Sequence, residues 1–144
     1  MTDDRGQALV LAVLALGLAA ATIVGLEAAG DRILRDAKER RAGEAAVEAA
    51  GAAVADAMVD LVASLRDARG NTRAMPTHDE LEALVGDVLV MARAQAAADA
   101  LSAVNGGGPV RDLEVRRASR AIEIVLSVGA HRQRAAIGTR CCLP

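Results

Sequence analysis

From Ala8 to Leu26 the chain runs 19 residues with Thr22 as its only polar side chain. At 1.5 Å per residue a helix of this length covers roughly 28 Å, close to the roughly 30 Å of bilayer hydrocarbon, so the pattern predicts a membrane-spanning helix. The Thr22 hydroxyl can return its hydrogen bond to its own helix, which makes it cheap in lipid. Residues 1–7 form a short charged leader, and Gly17 and Gly25 are the positions where another helix can come close. A cleaved export signal and the buried helix of a soluble domain are the alternatives. The run exceeds the usual apolar core of a signal, and MTDDR supplies no clearly positive leader, although Ala28, Ala29 and Gly30 would suit a cleavage site.

No proline occurs before Pro76, and residues 27–68 are rich in helix formers, so helix is expected to continue beyond the apolar run. Val47, Gly51, Val54, Met58, Leu61 and Leu65 recur at spacings of four and three and form one apolar stripe. Met58 in that stripe reads as core filling, not as a metal ligand. Traced backwards the stripe meets Glu44 and Arg40 and breaks, which predicts a solvated or interfacial stalk over 31–44. Residues 69–77 connect to a second helix over 78–104, opened by Thr77 with Glu80 in capping-box spacing. Its apolar face is read as Leu81, Leu84, Val85, Val88, Leu89, Ala92 and Ala96, continued by Leu101 and Val104, packed antiparallel on the first helix. Residues 105–109, Asn-Gly-Gly-Gly-Pro, end it. From 110 to 140 the period becomes two: Leu113 and Val115, then Ile122, Ile124, Leu126 and Val128, then a weaker third strand over 130–137. The expected fold is α+β, with a single N-terminal transmembrane helix continuing into a long amphipathic helix. A second, antiparallel helix and a small C-terminal antiparallel sheet of two or three strands complete it, and residues 141–144 form a cysteine-containing tail.

Composition narrows the function. Phe, Tyr and Trp are absent and Ala supplies 34 of 144 residues, so the core must be aliphatic and closely spaced, and stacking platforms for bases are missing. With a net charge of -2 there is no basic surplus for phosphates either, so no nucleic-acid partner is expected. His78 and His131 are far apart in sequence, and no metal-ligand spacing, nucleophile signature or phosphate loop is present. Glu44 and Glu48 share a helix face as ordinary solvated charges, and Glu27 fits the membrane interface. No cofactor, metal or catalytic residue is assigned, and the reading is non-enzymatic. Cys141 and Cys142 are adjacent, which disfavours a bridge between them. They read as tail thiols, or as an intermolecular disulfide if the tail lies outside the cytoplasm. Counting only Lys and Arg, Arg32, Arg35, Lys38, Arg40 and Arg41 outnumber Arg5, which by the positive-inside rule leaves the C-terminal part in the cytoplasm.

The stretch DDRGQALVLAVLALG, the following AGEAAVEAAGAAVA at 42–55, and ARAQAAADALSAVNGG with strands ending RAAIG resemble the TadE/TadG-like proteins of Tad-type (tight-adherence) pilus assembly. The resemblance covers about half of the chain. It implies a single-pass bacterial inner-membrane protein with an extracytoplasmic C-terminal region, opposite to the charge count. Such a protein acts as a minor pilin-like or accessory subunit in pilus assembly or a related secretion system. Its partners would be other subunits of that system, membrane lipid and further copies of itself. In processed members a peptidase cuts after Gly and Glu follows at the fifth mature position. Gly6 matches the first feature, while Leu11 stands in the second position, which favours an unprocessed subunit. A membrane-anchored envelope binding or sensor module unrelated to filaments is the alternative function.

Overall fold

The structure, a computed structural model, describes residues 4–65, 76–118 and 121–138, with side chains from residue 10 onward. It divides into two compact units, Met1–Ala37 and Lys38–Pro144. Helix α1, Asp4–Ser64, passes through both. In the second unit α2 (His78–Gly86) and α3 (Val88–Val104) follow, then strands β1 (Val110–Ala118), β2 (Ala121–Val128) and β3 (His131–Gly138). The strands form one antiparallel sheet in the order β1-β2-β3. The chain is thus α+β, with one long N-terminal apolar helix, further helices and a three-stranded C-terminal sheet.

In the first unit the apolar part of α1 buries none of its side chains. Thr22 Oγ1 donates to the carbonyls of Leu18 (3.0 Å) and Ala19 (2.8 Å), so its polarity is absorbed within the helix.

The core of the second unit lies between the helices and one face of the sheet. Central β2 supplies Ile122, Ile124, Leu126 and Val128, all fully buried, as period-two patterning demands. Val125 points to the opposite face yet is also buried, in register between Glu114 of β1 and Arg134 of β3. Helix α1 turns small residues inward: Ala42, Gly43, Ala46, Ala50 and Gly51 are buried, Gly43 packs on Gln133 and Gly51 on Ile124, and Ala42 meets Gly107 in the turn after α3. Two pairs of contacts give the helix directions. Gly43 meets Gln133 while Met58 shares a groove with Ile137, so α1 follows β3. His78 meets Arg117 while Asp99 binds Val110, so α2 and α3 run against β1. With β1 and β3 both antiparallel to β2, the two helical arms run in opposite senses.

The structure changes four expectations. The helix expected over 78–104 is two helices, because Asp87 adopts an extended backbone (φ -72, ψ 121) and caps α3, its Oδ1 accepting from Leu89 N (2.7 Å) and Val90 N (3.4 Å). Breaking the helix there resets its phase. The buried face of α3 is Val90, Ala94, Ala98 and Ser102, whereas Val88 and Val104, expected inside, are 79% and 80% exposed. Leu89, Ala92 and Ala96 are exposed as well. The solvated stalk ends before residue 44, since Glu39 is half-buried against Gly129 and Ala42 and Gly43 are buried. Finally, the alternation expected along β1 is interrupted: a bulge between Arg111 and Glu114, with Asp112 at φ 53, returns Val110 to the same core as Val115.

The turn chemistry explains the remaining joints. Thr77 Oγ1 accepts from Glu80 N (3.3 Å) while Thr77 N donates to Glu80 Oε2 (2.8 Å), the reciprocal capping box. At the end of α3, Gly106 N donates to Ala103 O (3.0 Å) and Gly107 N to Ser102 O (2.9 Å), a Schellman ending with Gly106 left-handed at φ 75.

Candidate functional site

Three surfaces carry the residues that sequence singled out. The first is the apolar length of α1. Gly17 and Gly25 have nothing within 4 Å of the place a Cβ would occupy, and a shallow groove at Gly17 is walled by Ala12, Val13, Leu16 and Ala20. Ala21 and Ala29 continue the four-residue spacing of the two glycines, so one side of the helix carries small residues at 17, 21, 25 and 29. Helices without large side chains on one side approach closely in lipid and gain van der Waals contact. Gly6 lies in the first turns of α1, its immediate surroundings being outside the described side chains.

The second surface is the amphipathic stripe. Val47, Gly51, Val54 and Leu65 are buried and Met58 and Leu61 half-buried, but the most tightly enclosed positions are Ala42, Ala46 and Ala50, one step round the helix. Sequence reasoning favoured the larger side chains. The available signal was the i, i+4, i+8 run of alanines, which permits close approach of a neighbouring backbone, as Gly107 makes to Ala42. These residues therefore hold the second unit together, and what remains free on α1 is its flank: Ala55, Met58, Val59, Val62 and Ala63, which with Ile137 of β3 enclose a groove of about 500 Å³. Val59 is 66% exposed there.

The third surface is polar. Arg117 Nη1 donates to His78 Nε2 at 2.6 Å, and Glu82 Oε2 lies 3.3 Å from the same ring nitrogen. All three are distant in sequence or separated by a helix turn, so only the packing of α2 on β1 brings them together. On the outer face of the sheet Arg116 donates to Glu123 (2.8 Å) with Glu114 3.9 Å away, and Arg132 lies 4.0 Å from Glu114. The hydrogen bond and charge of Glu123, helped by Glu114, hold the Arg116 guanidinium above its ordinary pKa. These are solvated ion pairs, worth little individually.

At the joint of α3 and β1 the polar atoms are consumed internally. Asp99 Oδ1 accepts from Val110 N (2.8 Å), Gln95 Nε2 donates to Asp99 Oδ2 (2.9 Å) and to Val110 O (3.2 Å), and buried Ser102 Oγ donates to Gly108 O (2.7 Å). Gly107 sits between Ala42 and Ser102 at a separation that admits no Cβ. The glycine-rich turn is therefore a packing device. Among the described residues no group of three His, Cys, Asp or Glu could hold a metal ion. Cys141 and Cys142 lie outside the described residues.

No protein-family model, curated protein or solved structure matches this chain.

Proposed function

We propose that the chain is a membrane-anchored minor pilin-like or accessory subunit of Tad-type pilus assembly or a related secretion system. In this reading residues 8–26 span the bacterial inner membrane once and the head formed by 38–144 lies outside the cytoplasm. The observation that carries the anchor is the apolar length of α1, membrane-long and without a buried side chain. Each Leu, Ile or Val left in water forgoes about 1.5–3 kcal/mol of burial, so a helix of this kind needs lipid or protein around it. The leader with Gly6, together with the Ala-rich segments quoted above, is what directs the reading to pilus assembly.

The action is non-catalytic. The small-residue side at Gly17 and Gly25 packs against helices of neighbouring subunits, further copies included, while the head offers protein contacts beyond the membrane. Three measurements on the full-length protein test the reading. It should resist alkaline extraction from membranes, a reporter fused after Pro144 should score outside the cytoplasm, and pilus-assembly subunits should co-purify with it. A freely soluble protein ends the anchored reading. A membrane protein with a cytoplasmic head or without such subunits ends the pilus reading alone. The second reading, an envelope binding or sensor module, draws on the open groove beside β3.

A further inference from the structure

The two edges of the sheet are finished differently. At β1 the first residue has both backbone groups taken by α3, Val110 N by Asp99 and Val110 O by Gln95, and two residues on the ladder is broken by the bulge at Asp112. Side-chain cover and a bulge are the devices by which sheets prevent edge pairing. Strand β3 has no bulge. All eight of its residues pair with β2 in unbroken register, no proline interrupts it, and among the described residues no further strand pairs with its far side. In an antiparallel ladder alternate residues turn their N–H and C=O away from the partner, so beyond His131 strand β3 turns a regular row of donors and acceptors away from β2.

The same edge has chemistry on both sides. Toward the helices it opens on the apolar groove of Met58, Val59, Val62 and Ile137. On the outer face it carries Arg132, 72% exposed and only 4.0 Å from its nearest carboxylate, and exposed Arg134. A strand added to β3 would send every second side chain toward the groove and the others beside these arginines.

We propose that β3 is a docking edge for an extended segment of another protein in which apolar residues alternate with Asp or Glu. The inference goes beyond the pilus reading and holds for any membrane-anchored role. A second copy is the poorer occupant, because its β3 brings the same Arg132 and Arg134 and no carboxylate, so pairing two such edges gathers like charge along one ladder.

The test uses the full-length protein in nanodiscs with two synthetic eight-residue peptides, one alternating Val with Glu and one alternating Val with Lys. The Glu peptide should bind at least tenfold more tightly and slow amide hydrogen exchange in β3 but not in β1. Arg132→Glu with Arg134→Glu, both on the exposed face, should leave the circular dichroism spectrum unchanged and reverse the preference. Val59→Asp should weaken binding of either peptide. Equal binding of the two peptides, binding without added protection of β3, or protection in the protein alone of those β3 amides that point away from β2, by a second copy or by residues 139–144, would each overturn the proposal.

Discussion

Of the three consecutive glycines in the turn between α3 and β1, two have different reasons to be glycine and the third has none, and alanine at each position separates them. At Gly107 a Cβ would collide with the Cβ of Ala42, stand 2.6 Å from Ser102 Oγ and 3.2 Å from Val128 Cγ1. Ala42 is fixed on α1 and cannot rotate aside, so Gly107→Ala forces α1 and α3 apart, at the upper end of the usual overpacking cost, about 3 kcal/mol. Gly106 has open space but a left-handed φ of 75, so its replacement costs about 1 kcal/mol through the backbone alone. Gly108 has neither constraint, and Gly108→Ala should be neutral or stabilising by up to about 0.5 kcal/mol through the unfolded chain. The chain has no Trp, Tyr or Phe, so unfolding must be followed by far-ultraviolet circular dichroism, in urea and mild detergent. With a slope of about 2 kcal/mol per molar, the midpoint should fall by about 1.5 M for Gly107→Ala and about 0.5 M for Gly106→Ala. Equal losses at 107 and 108 would refute the packing argument, since the two differ in contacts and not in chain position.

Other outcomes follow from the same contacts. Asp87→Ala removes the acceptor for two amides at the start of α3 and should cost about 1 kcal/mol in the same urea experiment, with Asp87→Asn retaining most of it. Ser102→Ala leaves Gly108 O without its buried donor and should lower stability by about 1 kcal/mol. Because Glu123 raises the Arg116 pKa, the stabilisation from Arg116 is complete below its ordinary value and lost only as pH rises through the raised one. Arg116→Met should therefore change the urea midpoint equally at pH 6 and pH 8, and a difference between the two would point to another titrating partner. A Cβ at Gly17 or Gly25 has nothing within 4 Å, so Gly17→Leu or Gly25→Leu should leave insertion and head stability unchanged while cross-linking between neighbouring membrane helices falls; undiminished cross-linking would remove that side of α1 as a contact.

The sequence by itself determined what depends on neighbours along the chain. The membrane-length apolar run, the Thr77–Glu80 box, the helix ending at the glycines and the alternation of Ile122, Ile124, Leu126 and Val128 are all local, and each is legible because its physics is set within a few residues. The Gly86–Asp87 pair was also local, yet the surrounding apolar residues concealed it as a helix break. Tertiary structure decided whatever required two distant segments to meet. It selected Ala42, Ala46 and Ala50 as the tightest face of α1, where an approach as close as that of Ala42 to Gly107 admits only small side chains, and it rotated α3 so that Val90, Ala94 and Ala98 turned inward. It brought Arg117 to His78, set Gly107 against Ala42, and closed the start of β1 with Asp99 and Gln95. Periodicity reports that a helix has an apolar side, but which side is buried depends on the shape of the surface it meets, and that surface is built from residues remote in the chain.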